Sequence, residues 1–361
     1  MVKYTISPAP LPNGGKLFVD HQKNGRSGHM SHALVEYKKG HVLAFYSNCS
    51  RNRNTGHSGF GWIEYKRSTD GARTWSDEQR LEYSWDAFLN EKFTVSCEKA
   101  VSPAENEIVL FCTRNLNPNG WEPYLAPVAL KSTDGGETWS QPIHVTDVRG
   151  RIYDAIFEDG VIYVLMLKGY DFLPHDEAED RYALLVSTDG GETFTLRSEL
   201  SGNFMNHAYG SMEMTDDGRL MVWTYNRGDE YNMDYFVSTD KGETWTQSGK
   251  SFCAKRIRNP QVTKVRGGYI LHGRSGCETR ELPINFVLYT SEDGIVWDEG
   301  VYVCEGKPRL GAFYSNNLVL DEEDGTQRVL IQSSVGWKDW PGESGEGDGR
   351  VNIAHWVLEI E

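Results

Sequence analysis

An eight-residue motif occurs four times along the chain, with a shorter fifth copy, and its regular spacing narrows the possible folds more than any other feature. It reads Ser68-Thr-Asp70-Gly-Ala-Arg-Thr-Trp75, Ser132-Thr-Asp134-Gly-Gly-Glu-Thr-Trp139, Ser187-Thr-Asp189-Gly-Gly-Glu-Thr-Phe194 and Ser238-Thr-Asp240-Lys-Gly-Glu-Thr-Trp245. A degenerate copy is Ser291-Glu-Asp293-Gly-Ile-Val-Trp297. The starts lie 64, 55, 51 and 53 residues apart, so one supersecondary unit is repeated along the chain. Each copy has the chemistry of a tight turn. Ser and Asp bond nearby backbone, Gly supplies positive φ, and the closing aromatic returns to apolar surroundings.

Each motif follows a strand-like run, at residues 61–66, 128–131, 182–186, 235–237 and 285–289. Two further strand signals precede each run, as at 32–37 and 41–46 in the first unit. Every unit is therefore about four antiparallel strands, the pattern of a propeller blade. A sixth unit lacks the motif but keeps strands at 313–320, 328–332 and 351–358. Its missing outermost strand is expected from residues 15–19, which would close the array like a clasp. The expected fold is an all-β, six-bladed β-propeller, a single domain over residues 1–361. Composition agrees: 37 Gly and 12% aromatic residues favour turn-rich β structure.

The motifs are Asp boxes, Ser-x-Asp-x-Gly-x-x-Trp, and the chain resembles the sialidase (neuraminidase, BNR-repeat) superfamily over nearly its whole length. The copies at Ser132 and Ser238 match fully; Phe194 replaces Trp in the third, and Ala72 and Ile295 replace Gly in the first and fifth. The boxes speak for fold more than for activity.

A propeller binds its ligand over the central channel, near the start of each blade's innermost strand. Those positions offer His29 and His32, Glu98 and Lys99, Tyr153 and Asp154, His207 and Tyr209, Arg256, Arg258 and Asn259, then Tyr314 and Asn316. A purely structural strand would place Val or Ile there, and converging polar groups are costly to bury without a ligand. Charge points the same way. The whole chain carries −15, yet residues 255–309 hold nine Lys/Arg against seven Asp/Glu. A locally basic blade suits a carboxylate or sulfate, with Arg258, Arg274, Arg280 and Arg309 able to grip it. The acidic total argues against nucleic acid or an anionic membrane as partner.

The resemblance implies a Tyr nucleophile, an Asp acid/base and three arginines on a sialic carboxylate. Ala312-Phe-Tyr314-Ser315 resembles the Tyr-Ser run that carries the nucleophile, and Arg280 falls near one family arginine. The blade-one run reads Met30-Ser31-His32 without arginine, Tyr225 stands where blade four has one, and His57 lies near the position of the acid. The expected activity is a sialidase-like glycoside hydrolase acting on an acidic sugar. Tyr314, Asp154, Glu98 and His207 would be catalytic, and His32, His57, Tyr209, Arg258, Arg274 and Arg280 would bind substrate. Two alternatives stay open: a uronate lyase using His and Tyr, in which Arg neutralises the carboxylate, and a non-catalytic glycan-binding propeller.

No cofactor is expected. His29 and His32 do not share a strand face, so no metal is expected either. The six cysteines are dispersed without metal spacing, and residues 1–10 contain no apolar h-region. They read as thiols of a cytoplasmic protein, or of a secreted one whose leader has been removed. The partner expected is a carbohydrate, with the oligomeric state left open.

Overall fold

Short apolar runs bounded by Gly and Asp become strands, and the described chain is almost wholly strand and turn. The computed structural model describes residues 2–7, 15–28, 32–52, 59–116, 124–169, 181–276, 284–306, 313–338 and 350–361. Two compact units contain them, Ser27–Met205, and Met1–Arg26 with Asn206–Glu361.

Two short strands come first, β1 (Tyr4–Ile6) and β2 (Lys16–Val19). Unit Ser27–Met205 then builds three four-stranded sheets. Blade one is β3 (His32–Lys38), β4 (His41–Asn52), β5 (Gly59–Ser68) and β6 (Gln79–Arg80), followed by helix α1 (Glu82–Leu89). Blade two is β7 (Thr94–Val101), β8 (Ile108–Asn115), β9 (Val128–Ser132) and β10 (Ile143–His144). Blade three is β11 (Gly150–Glu158), β12 (Val161–Lys168), β13 (Tyr182–Ser187) and β14 (Thr195–Glu199).

The other unit carries blade four, β15 (His207–Met214), β16 (Leu220–Asn226), β17 (Asn232–Ser238) and β18 (Thr246–Phe252). Blade five is β19 (Arg258–Val265), β20 (Gly268–Ser275), β21 (Asn285–Ser291) and β22 (Val301–Cys304). Blade six is β23 (Ser315–Asp321), β24 (Gln327–Lys338) and β25 (Arg350–Ile360). The sheets of blades one to five are antiparallel meanders in chain order, and the fold is a six-bladed β-propeller.

Blade six is completed from the N-terminus by two strands in tandem. β2 pairs Lys16 with His355, as the sequence implied, and β1 pairs Tyr4 with Ile360 farther along the same edge. Three residues carry too little periodicity to reveal β1 beforehand. Phe18 stacks on His355 at 3.9 Å and fastens this edge.

The boxes sit between third and fourth strands as local hydrogen-bond cages. In blade two, Ser132 Oγ accepts the Gly136 N–H at 2.8 Å, while Asp134 Oδ1 accepts those of Glu137 and Thr138 at 3.0 and 2.9 Å. Gly136 adopts φ +85°, and a Cβ there would lie 2.5 Å from Leu43. Burial acts to raise the Asp134 carboxyl, but the Thr138 and Ser132 hydrogen bonds prevail and bring its pKa down to about 2. In blades two and three the closing aromatic packs on the preceding blade, which explains the period. Trp139 meets Phe45 at 5.8 Å, and Phe194 meets Phe111 at 5.6 Å. Apolar seams then join blades one and two, two and three, four and five, and five and six. Each fully buried Leu, Ile or Phe in them contributes about 1.5–3 kcal/mol.

Candidate active site

The first strand of four blades breaks its pairing near its start. In β7 the register skips Glu98, in β11 Tyr153, in β15 Tyr209, and in β19 Asn259 and Pro260. Tyr209 and Asn259 adopt φ of +51° and +54°, and Phe313, just before β23, +69°. A β-bulge leaves its extra residue unpaired and re-aims the side chains beside it, a device concentrated near functional sites. These bulges lie at the sheet ends opposite the Asp boxes, where the sequence placed the site residues.

In unit 206–361 the bulged ends gather arginines and tyrosines. Arg258 on β19 and Arg274 on β20 are direct cross-strand partners. Like charges opposite one another repel. Arg274 is only 8% exposed; its guanidinium lies 4.8 Å from the Tyr314 ring centroid, and Nε has no hydrogen-bond partner among the described residues. No carboxylate among those residues pairs with it. Burying such a cation costs several kcal/mol unless something anionic completes it.

Arg258 is held differently. Its Nε donates to the Tyr225 hydroxyl at 2.9 Å and lies 3.1 Å from Glu230 Oε1, while the same hydroxyl donates to that oxygen at 3.0 Å. Backbone bonds fix the Glu230 loop, since Ile257 N–H donates to the Glu230 carbonyl at 2.9 Å and Cys253 N–H to that of Tyr231 at 2.8 Å. Burial works against the Arg258 charge, but Tyr225, Glu230 and Tyr314 around it hold its pKa above the usual arginine range. Burial likewise pushes the Tyr225 phenol up to about 12 against the pull of Arg258. Glu230 Oε2 is buried without a hydrogen-bond partner among the described residues. The Tyr209 ring centroid lies 6.1 Å from that of Tyr314 and 6.4 Å from that of Tyr225.

His207, also at this end of blade four, meets Asp234 through Nε2 and Oδ2 at 2.6 Å, both residues being buried. Burial acts to raise the Asp234 carboxyl, yet the His207 hydrogen bond and charge hold it below its ordinary value. Such a pair fixes the orientation of an imidazole that moves protons.

In unit 27–205, the two inner strands β7 and β11 exchange charges crosswise. Glu98 Oε2 accepts from Arg151 Nη2 at 2.9 Å, and Asp154 Oδ1 meets Lys99 Nζ at 2.9 Å. Glu98 and Lys99 are neighbours in the sequence. The bulge at Glu98 turns them to different partners on the next blade. Asp154 is 1% exposed and also accepts the Ala155 N–H. The Arg151 guanidinium lies 5.0 Å from the Tyr153 ring centroid. His32 opens β3, buried, in register with Tyr46. His57, Arg280, His29 and Arg309 lie outside the described residues.

Thus Arg258, Arg274, Tyr314, Tyr209 and His207 share one unit, while Glu98, Asp154 and His32 belong to the other. The sequence reading missed Glu230, Asp234 and Arg151. Glu230 could have been found by examining the loop between the second and third strands of blade four. The other two become visible only through cross-strand register. Among the described residues, no group of His, Cys, Asp and Glu is arranged to hold a metal ion.

The chain is similar to several known proteins. A sialidase of Paraclostridium sordellii is 23% identical over 288 residues, 73% of this chain, which spans 63% of the length of that relative. A protein of unknown function from Dyadobacter fermentans superposes with TM-score 0.67 at 16% identity, covering 96% of this chain and 97% of that one. A Hadza microbial sialidase gives 0.65 at 15% identity, covering 95% and 68%. The Trypanosoma rangeli sialidase in complex with 2,3-difluorosialic acid, a covalent intermediate, gives 0.63 at 12% identity, covering 99% and 59%. The BNR repeat-like domain family matches residues 32–292. With five Asp boxes on six sheets, the chain belongs to the BNR-repeat family, a sialidase-superfamily propeller.

Proposed function

We propose that the protein is a sialidase-like glycoside hydrolase whose substrate carries an acidic sugar. The observation that carries this reading is the cross-strand pair Arg258 and Arg274, with the Arg274 guanidinium buried against Tyr314 and without a carboxylate partner among the described residues. Two adjacent guanidiniums suit a bidentate grip on a sugar carboxylate or sulfate, and the bound anion relieves their repulsion. Tyr314 is the proposed nucleophile. A phenol needs a base to take its proton, and Glu230 and His207 are the groups this unit supplies.

The relatives named as sialidases support hydrolysis as the reaction class. One observation favours elimination instead, namely the 2.6 Å His207–Asp234 pair, since an imidazole oriented in this way could abstract the proton beside a uronate carboxylate. The products separate the two chemistries. A hydrolase releases reducing sugar from sialosides or uronides, whereas a lyase leaves an unsaturated uronate that absorbs in the ultraviolet. Tyr314→Phe should abolish release in either assay with its circular dichroism and melting unchanged. Retained turnover in that variant would remove Tyr314 from the mechanism.

A further inference from the structure

We infer that Tyr225 is a positioning residue that aims Arg258 at the ligand carboxylate, so that anion recognition depends on a side chain with no charge of its own. This rests on the acidic-sugar reading above and deepens it. The geometry is a closed triangle. Arg258 Nε gives its one proton to the Tyr225 hydroxyl at 2.9 Å, and that hydroxyl passes its own to Glu230 Oε1 at 3.0 Å. Tyr225 is 2% exposed, and its backbone is clamped on both edges, opposite Ala208 on β15 and Met233 on β17. The phenol therefore cannot swing away, and its pKa near 12 keeps it a donor to Glu230 at neutral pH.

The consequence falls on the far edge of the guanidinium. With Nε tied back, the two terminal nitrogens of Arg258 have no partner among the described residues, and its side chain is 23% exposed. A planar fork fixed at its base presents both terminal N–H groups in one direction, the requirement for bidentate binding of a carboxylate. Without the phenol, Nε loses its acceptor and redirects its proton to Glu230 Oε1, already 3.1 Å away, which turns the fork. Charge sets the ligand class. Arg258 and Arg274 against Glu230 leave one positive charge in this cluster, matched to a monoanionic group. An arginine in place of Tyr225 would double that excess.

The test compares affinity for an acid with affinity for its uncharged ester. Methyl glycosides of N-acetylneuraminic, glucuronic and galacturonic acid, each as free acid and as methyl ester, are titrated calorimetrically into wild type and Tyr225→Phe. Wild type should prefer at least one free acid. The variant should lose about tenfold of that preference, the value of one misaligned charge-assisted hydrogen bond, with ester affinity unchanged. A variant that keeps the full preference overturns the positioning role and leaves the acidic-sugar reading standing. Equal loss toward acid and ester, with a lowered melting temperature, assigns Tyr225 a structural role and also overturns the inference. A wild type that binds no free acid better than its ester overturns the acidic-sugar reading itself.

Discussion

Replacing Arg274 with Met should strengthen the fold while removing anion binding. Arg274 is 8% exposed, sits opposite Arg258 across the β19–β20 pair, and has no acceptor for Nε among the described residues. Exchanging a buried, poorly compensated ion for an apolar side chain of similar length typically gains about 1–4 kcal/mol. Met retains the stem packing but forfeits the contact with the Tyr314 ring at 4.8 Å, a loss of about 1–2 kcal/mol for a desolvated cation–π pair. The balance is a gain of about 1 kcal/mol, part of it from relief of like-charge repulsion. Ligand affinity should move the other way. Loss of a buried, charge-assisted contact costs about 2–5 kcal/mol, a weakening of about thirtyfold or more. Urea unfolding followed by tryptophan fluorescence reads the first quantity, and calorimetric titration with an acidic sugar reads the second. A variant destabilised by about 2 kcal/mol or more that keeps its affinity would identify Arg274 as a structural ion, and the argument for an anion site would fail.

Three further outcomes follow from the cages and ion pairs. Ser132→Ala should cost about 1–2 kcal/mol, because the buried Oγ caps Gly136 and orients Asp134, and should leave any activity unchanged; a lost activity would refute the separation of box from site. Asp70, Asp134 and Asp189 titrate in the fold at about 2, below their free value of 3.8. Depressed carboxylates stabilise the fold above the free value, so acid melts should stay level down to about pH 4 and fall between about 4 and 2; loss beginning near pH 6 would point to other groups. Asp154→Asn should cost about 3 kcal/mol by leaving Lys99 beside a neutral amide, and Lys99→Met in the same background should restore part of it; a neutral effect in denaturant melts would show the pair to be dispensable.

The architecture was legible because the Asp box is a local device. Eight consecutive residues contain the cap, the turn and the closing aromatic, so composition at those positions marks five of the six blades. The site was legible only as a set of positions. That Glu98, Tyr153, Tyr209 and Asn259 fall at bulges cannot be read from one strand, because a bulge is a property of two strands in register. The partners depend on those bulges. Lys99 reaches Asp154 rather than its neighbour Glu98, and Asp234, three residues into β17, becomes the partner of His207 through sheet pairing alone. Glu230 was missed for another reason, since it occupies a polar loop with an ordinary composition, Gly228-Asp-Glu-Tyr231.

The tandem pairing of β1 and β2 along β25 shapes the order in which the molecule can be made. Tyr4 must wait for Ile360, and Lys16 for His355, so this sheet gains its outer edge only after more than three hundred intervening residues have left the ribosome. Until then the nascent chain carries the apolar segments 4–6 and 16–19 unpartnered, and afterwards β25 offers an open edge until they arrive. Blades one to five draw all their strands from contiguous stretches and face no such delay.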